Sequence, residues 1–247
     1  MAEKFPEPYK GLHPYEESDK DNFFGRDAAR KILVNKILTN KLTLLFAATG
    51  VGKSSLLQAA VIPQMKNPQG ENLEVVYHNR WWGGSPFAGL KDKVRDNLQQ
   101  SGKLSVEVPQ SKLDNFSFKD FFRFCALFTR QPLIVILDQF EDFFQYQQNT
   151  EYFDKFIKQL AETITYREVP IALVISMRED FAQELNAFKP YLPTILFENF
   201  YRLERLTEPE AKTAIVAPVE RIGFQYEDAF LKRLFKDLAS RELQRDA

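Results

Sequence analysis

Short apolar runs alternate with longer stretches of mixed polarity along this chain. The runs predict five β-strands, at residues 42–47, 73–78, 133–138, 171–176 and roughly 199–206. The first, third and fourth runs are almost wholly apolar, which is typical of parallel strands covered by helices on both faces. The alternation of strand and helix patterns therefore predicts an α/β fold with a five-stranded parallel sheet flanked by helices.

Between the runs, apolar residues recur every three or four positions, and this spacing predicts helices. The stretches concerned are residues 52–65, 85–100, 118–130 and 150–166. A further helix is predicted shortly after residue 22, with Asp27 as its N-cap. Its apolar stripe consists of Ala28, Ile32, Leu33, Ile37 and Leu38.

The strand pattern stops after about residue 206, and two helical patterns follow. We therefore divide the chain into a polar, proline-containing N-terminal arm (1–22), an α/β domain (23–206) and a small helical lid (207–247). Because the last helical pattern runs to the end of the chain, we expect the lid to be truncated.

Residues 47–54 match the pattern G-x-x-x-x-G-K-[ST] of a phosphate-binding loop, except that Ala47 stands at the first position. A predicted buried strand precedes the loop and a predicted helix follows it, as this motif requires. Gly50 and Gly52 let backbone N–H groups turn toward phosphate oxygens. Lys53 suits the β- and γ-phosphates, and the Ser54 hydroxyl suits Mg²⁺. Alanine is small enough for the first position unless the backbone there needs a positive φ.

The motif therefore predicts a nucleotide site, and a glycine-rich turn without a ligand is the alternative. The loop residues expected to contact the nucleotide are Thr49, Gly50, Val51, Gly52, Lys53, Ser54 and Ser55.

Acidic residues follow the third predicted strand. Asp138 ends an apolar run, so a buried strand would deliver its carboxylate to the edge of the sheet where ligands of α/β folds bind. We predict that Asp138 holds Mg²⁺ together with Ser54. Glu141 or Asp142 would then polarise the attacking water, and we favour Glu141 as the catalytic base. A solvated acidic turn is the alternative.

Arg178 follows the fourth predicted strand. If this strand lies between the first and the third, the arginine can reach the γ-phosphate and stabilise its charge. The alternative is a surface arginine paired with Glu179 or Asp180.

Two aromatic segments are further candidates for a nucleobase contact. In residues 23–26 an aromatic side chain and Arg26 are separated by Gly25, which permits close backbone approach. A packed loop is the alternative there. Trp81 and Trp82 stand before two glycines, and we favour a packed or partner-facing corner over a stacking surface.

Composition narrows the functional classes. The 247 residues carry a net charge of −1, which gives no overall reason to expect nucleic acid as a partner. Cys125 is the single cysteine, so an intramolecular disulfide is excluded and a reducing, cytoplasmic compartment is expected. It lies on one predicted helical face with several of the 23 phenylalanines, so we expect a buried thiol in an aromatic core. No apolar stretch is long enough for a membrane span, and the N-terminus does not resemble a signal peptide.

Taken together, five segments resemble the NTPase core of the STAND class, the signal-transduction ATPases with numerous domains. The order PYKGLHPYEESDKDNFFGRD, ATGVGKSSLLQAAVIPQM, LIVILDQFEDFF, ISMREDF and LTEPEAKTAIVAPVERIGFQYED is similar to the bacterial novel STAND group, whose core is AAA+-like and NACHT-like. The resemblance covers residues 8 to about 230.

The resemblance implies roles that the residues alone leave open. It implies that Phe24, Gly25 and Arg26 lie against the adenine, that Arg178 is a sensor of the γ-phosphate, and that Pro218 of the lid lies near the base. It also implies ATP and ADP as ligands with Mg²⁺, a closed ADP-bound monomer, and self-association on ATP binding. Effector and sensor domains would lie outside this chain.

We therefore interpret the chain as a regulatory ATPase switch with slow, Mg²⁺-dependent hydrolysis. An origin-recognition-like AAA+ ATPase that associates with DNA is an alternative, and a non-catalytic scaffold that keeps a nucleotide as a structural ligand is another. A P-loop kinase for a small molecule is a weaker alternative, because no acceptor-binding lid is evident.

Overall fold

The fold is built on a single five-stranded sheet. The computed structural model describes residues 8–67, 69–70, 72–104, 113, 115–129, 131–166, 168–192 and 198–243. The strands are β1 (Leu42–Ala47), β2 (Val75–His78), β3 (Leu133–Leu137), β4 (Ile171–Arg178) and β5 (Phe200–Arg202). All neighbouring strands are parallel, in the order β2-β3-β4-β1-β5. The predicted α/β class and the five predicted strands are confirmed.

Helices connect the strands and cover both faces of the sheet. They are α1 (Asp27–Thr39), α2 (Lys53–Ser55), α3 (Ile62–Met65), α4 (Pro86–Gln100), α5 (Phe118–Ala126), α6 (Phe140–Gln147), α7 (Phe153–Thr165), α8 (Glu208–Arg221) and α9 (Asp228–Leu243). A π-helical segment, Leu56–Val61, joins α2 to α3 without a break. Pro63, which has no N–H to donate, lies just after this segment.

The sheet separates two hydrophobic cores. On one face the strands pack against α4, α5, α6 and α7 in a core rich in aromatic side chains, including Trp81, Phe118 and Phe140. Cys125 is buried in this core, as predicted, and burial raises its pKa to about 12. On the other face α1 and residues 53–65 cover the sheet. Both faces are therefore buried, which explains the wholly apolar strands.

The start of the chain differs from the expectation in two respects. Residues 17–22 of the predicted arm form a 3₁₀ helix, Glu17–Asn22, which the polar pattern does not predict. Asp27 is not the N-cap of α1, because Arg26 holds that position and Asp27 is the first helical residue, paired with Arg30 at 2.7 Å. Residues 1–7 of the predicted arm and residues 244–247 of the predicted lid lie outside the described residues.

The apolar stripe of α1 is rotated by one position from the prediction. Its buried members are Ala29, Leu33, Val34 and Ile37, whereas Ile32 and Leu38 are exposed. The segment contains more apolar residues than one face can bury, so periodicity alone allows two neighbouring stripes.

Two further helical features follow. Residues 179–188 form a 3₁₀ helix, Glu179–Phe188, directly after β4. After β5 the described chain is helical, with α8 and α9 in place of strands. None of the described helices combines the length and apolarity that crossing a membrane would need.

Candidate nucleotide-binding site

The loop between β1 and α2 has the backbone of a phosphate-binding loop. Gly50 has φ +77° and Gly52 has φ +99°, conformations that other residues rarely adopt. Ala47 is buried as the last residue of β1, and it is not among the described residues with a positive φ. Alanine therefore meets the condition set by the sequence analysis for the first position of the motif.

Lys53 begins the helix that follows the loop. Its Nζ lies 3.5 Å from the carbonyl oxygen of Ala47, so the side chain folds back over the loop. Burial lowers the pKa of this amine, while the nearby carboxylates of Glu141 and Asp138 raise it. A cation held in a partly buried loop is suited to bind the phosphates of a nucleotide.

Strand order brings Asp138 and Arg178 to the same edge of the sheet. Strand β4 lies between β3 and β1, which is the condition under which the sequence analysis predicts that Arg178 approaches the loop. In the register of β1 and β4, Ala47 is paired with Arg178. Asp138 directly follows β3, and its backbone N–H donates to His78 at 2.8 Å.

Asp138 is fully buried and its carboxylate is oriented by two hydroxyl groups. Ser54 Oγ donates to Asp138 Oδ2 at 2.6 Å, and Tyr77 Oη donates to the same oxygen at 2.6 Å. Trp81 Nε1 donates to the backbone carbonyl of Asp138 at 2.8 Å. The other carboxylate oxygen, Oδ1, is buried without a hydrogen-bond partner among the described residues.

Ser54 and Asp138 therefore fit a Mg²⁺ ion. Both present oxygen atoms, which Mg²⁺ prefers, and the unsatisfied Oδ1 of Asp138 lacks a partner that a hydrated metal would supply. In the described part of the chain no group of three or more His, Cys, Asp or Glu side chains could hold a metal. A Mg²⁺ ion here would thus take its remaining ligands from phosphates and water, as is usual for nucleotide sites.

Glu141 is positioned by a sharp turn at the end of β3. Gln139 has φ +51°, an uncommon conformation for a residue other than glycine, and it directs the chain from the strand into α6. Glu141 is buried, and its Oε2 accepts the backbone N–H of Arg178 at 3.2 Å. Burial raises the pKa of this carboxyl group.

Asp142 is the neighbouring candidate for the base. It is half-buried, and burial raises its pKa as well. Lys53 has Glu141 as its foremost electrostatic partner, whereas Asp142 is not among the charges that act on this lysine. Glu141 is therefore the nearer of the two acidic residues to Lys53 in electrostatic terms, and its role as the base stays a prediction.

The Arg178 side chain is engaged locally. Its Nε donates to Asp180 Oδ1 at 3.1 Å, and its Nη2 pairs with the other carboxylate oxygen of Asp180. This is the surface pairing considered as the alternative in the sequence analysis. Arg178 nevertheless lies close enough to Lys53 and Glu141 to influence the electrostatics of both.

A cavity of about 980 Å³ lies between the phosphate-binding loop and the helices after β5. Arg26, Thr49, Gly50 and Val51 line one side. The other side is formed by residues of the β5–α8 linker, α8 and α9, among them Lys212, Leu231 and Phe235. Neither Phe24 nor Pro218 is among the lining residues; Pro218 is buried within α8.

Arg26 connects the two sides of this cavity. Its Nη1 donates to the carbonyl of Glu204, and its Nη2 donates to the carbonyl of Val51, each at 2.8 Å. The residue is buried, and burial lowers its pKa. Gly25 beside it packs so closely on α8 that an added Cβ would lie 2.4 Å from the carbonyl oxygen of Glu210. The close approach allowed by Gly25 is therefore toward the lid helix.

The N-terminal arm contacts the helix that follows the phosphate-binding loop. The backbone N–H of Tyr15 donates to Ser55 Oγ at 3.1 Å. Lys66, at the end of the same helical segment, pairs with Glu17 at 2.9 Å. The Ser55 hydroxyl, predicted as a nucleotide contact, is thus engaged by the arm.

The arm also contacts the lid at both of its ends. Tyr9 Oη donates to the carbonyl of Ile215 in α8 at 2.5 Å. Arg221, the last residue of α8, pairs with the carboxylate of Asp21 at 3.5 Å. No local sequence pattern signals these contacts, because the partners lie some 200 positions apart.

The two tryptophans occupy a corner after β2. Trp81 is buried against Phe140, Phe143 and other rings of the aromatic core, which agrees with the packed corner favoured above. Trp82 is 49% exposed, and its ring centroid lies 6.3 Å from that of Tyr146.

Comparisons with known proteins bear on the family and on the fold. A family model described as Novel STAND NTPase 1 matches residues 8–244. A search of curated protein sequences finds no match.

Several solved structures of low sequence identity have a similar fold. The Walker-type ATPase of Pyrococcus abyssi superposes with a TM-score of 0.61 at 14% identity, covering 91% of this chain and 65% of that one. The ORC2 protein of Aeropyrum pernix, solved with ADPNP and ADP, gives 0.56 at 14% identity over 87% and 54%. The ORC1 protein of the same organism, solved with DNA, gives 0.53 at 13% identity over 82% and 50%. These likenesses show the fold, and this chain spans between half and two thirds of those chains.

Proposed function

The chain belongs to the Novel STAND NTPase 1 family, and we propose on that premise that it is the ATP-dependent switch of a bacterial signalling or defence protein. The observation that carries the proposal is the convergence of Lys53, Ser54, Asp138 and Glu141 at one edge of the sheet, beside a cavity of about 980 Å³ that reaches the lid. The single buried cysteine supports a reducing, cytoplasmic setting.

Each residue has a role in the proposed hydrolysis. The loop N–H groups and Lys53 bind the phosphates, and Ser54 and Asp138 hold the metal. Mg²⁺, when bound, neutralises phosphate charge and orients the β- and γ-phosphates. Glu141 orients and deprotonates the attacking water; its raised pKa makes it a stronger base than an ordinary glutamate once it is ionised.

Arg178 provides the proposed link to the γ-phosphate. Its guanidinium is exposed enough to exchange Asp180 for a phosphate oxygen, since 37% of its side chain is accessible. A planar guanidinium binds either group through paired hydrogen bonds. ATP would thus differ from ADP by the charge that recruits Arg178.

The proposed switch uses the lid, taken as residues 207–247. ADP holds the lid closed over the cavity, and ATP changes the position of the lid relative to the sheet, which permits self-association in the full-length protein. Slow hydrolysis gives both states a long lifetime. Sensor and effector domains outside this chain would supply the stimulus and the response.

The first experiment identifies any bound nucleotide. The purified protein is denatured, and the released small molecules are identified by mass spectrometry. Stoichiometric ADP is the expected result. An empty protein that also fails to bind ATP with Mg²⁺ would overturn the proposal.

Matched variants then assign the site. Lys53→Ala should abolish ATP binding, because the loop loses its only cation, whereas exposed Lys31→Ala should bind normally. Glu141→Gln should bind ATP but hydrolyse it at least 100-fold more slowly, which is the range for loss of a general base. Wild-type turnover in this variant would exclude Glu141 as the base.

DNA association is a second candidate, favoured by the likeness to an origin recognition protein that was solved with DNA. Binding would then be tight and strongly salt-dependent, because phosphate contacts release counterions. Fluorescence anisotropy with a duplex at 50 and 200 mM salt measures this directly. A nucleotide-bound protein without turnover, DNA binding or ATP-dependent assembly would instead support the scaffold interpretation.

A further inference from the structure

We infer that Tyr77 is a positioning residue for the proposed Mg²⁺ site, which it serves by fixing the orientation of the Asp138 carboxylate. This inference rests on the proposed function, because it assumes that Asp138 holds the metal. Neither the loop motif nor the acidic strand end assigns a role to Tyr77.

The strand register places Tyr77 beside Asp138. Tyr77 of β2 is paired with Ile136 of β3, and Asp138 follows two residues later. Side chains two positions apart on a strand point to the same face, so Tyr77, Ile136 and Asp138 share the face covered by the helix after the phosphate-binding loop. A tyrosine at this position has the reach to bring its hydroxyl to the carboxylate.

The hydrogen bonds divide the two carboxylate oxygens between different tasks. Oδ2 accepts both hydroxyls, from Tyr77 and from Ser54, each at 2.6 Å. Oδ1 is buried and has no partner among the described residues. With Oδ2 held from two sides the carboxylate cannot rotate freely, and Oδ1 is the oxygen left to accept from a metal-bound water or to bind the metal.

Of the two hydroxyl donors to Asp138, only Tyr77 is not itself a candidate ligand of the metal. Ser54 is itself a candidate ligand, so its hydroxyl must serve both Asp138 and the metal. The Tyr77 hydroxyl has no such second task, and Gln58 Nε2 donates to it at 3.3 Å, which leaves its proton for Asp138.

The test compares nucleotide affinity with and without metal. Calorimetry gives the Kd for ADP in EDTA and in saturating Mg²⁺, and the ratio of the two values is the gain due to the metal. Partners that orient a metal ligand typically contribute 10- to 100-fold to metal affinity. We therefore expect Tyr77→Phe to reduce this ratio by about 10-fold, while the Kd in EDTA stays within about twofold of wild type.

Tyr201→Phe is the matched control. Tyr201 is a partly buried tyrosine on β5 of the same sheet, packed on the same core and with no hydrogen bond to Asp138. It should keep the wild-type ratio.

Gln58→Leu is the second variant, in case Tyr77→Phe does not fold. It removes the hydrogen bond from Gln58 to the tyrosine hydroxyl, which can then turn away from Asp138. The ratio should fall, but by less than in Tyr77→Phe.

The outcomes separate this inference from the proposed function. A wild-type protein that binds no ADP would defeat both. A wild-type protein that gains from Mg²⁺, together with an unchanged ratio in Tyr77→Phe, would overturn the role of Tyr77 and leave the nucleotide site intact. Equal losses in EDTA and in Mg²⁺ would make Tyr77 a purely structural residue and would also overturn the inference.

Discussion

The contact between Gly25 and α8 gives a prediction that can be worked out from the structure. An alanine Cβ at position 25 would lie 2.4 Å from the carbonyl oxygen of Glu210 and 3.2 Å from Ala214 Cβ. Ordinary contact begins at 3.4 Å, so the backbone of α8 would have to move by about 1 Å. Gly25 also has φ +82°, where a side chain is strained.

Two costs therefore add up in Gly25→Ala. The left-handed backbone costs about 1 kcal/mol after the reduced freedom of the unfolded chain is taken into account. Displacing packed backbone costs typically 1–3 kcal/mol. We expect a loss of about 3 kcal/mol in the free energy of unfolding, or roughly 6–12 °C in Tm for a chain of this size.

Gly223→Ala isolates the contact. Gly223 has nearly the same dihedral, φ +84°, but an added Cβ would meet nothing within 4 Å. This variant should lose only the conformational contribution of about 1 kcal/mol. Urea denaturation of both variants measures the difference in their free energies of unfolding. Calorimetry with ADP should detect weaker binding in Gly25→Ala alone, because Ala211 and Lys212 of the displaced helix line the cavity. Equal stability of the two variants would refute the close approach of Gly25 to α8.

Three further predictions test single side chains. Burial lowers the pKa of His78 to about 4, below the ordinary 6.5. Between these two pH values the unfolded chain binds more protons than the folded protein, so the free energy of unfolding should fall by about 3 kcal/mol in total as the pH is lowered. His78→Asn should flatten this slope in urea titrations at pH 7.0, 5.5 and 4.5. Cys125, with its pKa raised to about 12, should resist a thiol reagent at pH 8 until the protein is unfolded, and rapid labelling of the native protein would contradict its burial. Arg26→Lys keeps the charge but cannot donate to the carbonyls of both Val51 and Glu204. The variant should therefore lose about 2 kcal/mol in the free energy of unfolding, measured by denaturant titration, and wild-type stability would exclude a role for the two guanidinium hydrogen bonds.

The strands, and the approach of Ser54 to Asp138 at one edge of the sheet, could be predicted because local sequence patterns determine them. A buried parallel strand is a short apolar run, which explains the prediction of β1 to β4, whereas β5 is a short, mostly exposed edge strand. Ser54 follows one strand by way of the loop and Asp138 ends another, so both had to reach the same edge of a parallel sheet. In the structure the two side chains are joined by a hydrogen bond of 2.6 Å.

Other features depend on contacts between distant segments. Tyr77 reads simply as part of an apolar run, and its partner Asp138 is fixed only by the register of β2 and β3. Gly25 was expected to permit a close approach, yet its partner is the lid helix α8 rather than a ligand. For Arg178 the sequence allows a γ-phosphate or a neighbouring carboxylate as partner, and the pairing with Asp180 depends on a rotamer that sequence spacing does not determine.

The two serines at the start of α2 connect the metal site to the rest of the molecule. Ser54 donates to Asp138 on the side of the sheet, and Ser55 accepts from Tyr15 on the side of the arm. Six positions earlier, Tyr9 of the same arm is bound to Ile215 of the lid. A shift of the lid relative to the sheet must therefore break contacts of the arm on one side or carry the arm with it. Because Ser55 is adjacent to the proposed metal ligand, the arm contacts both the nucleotide loop and the lid, the two parts that a nucleotide-driven switch has to couple.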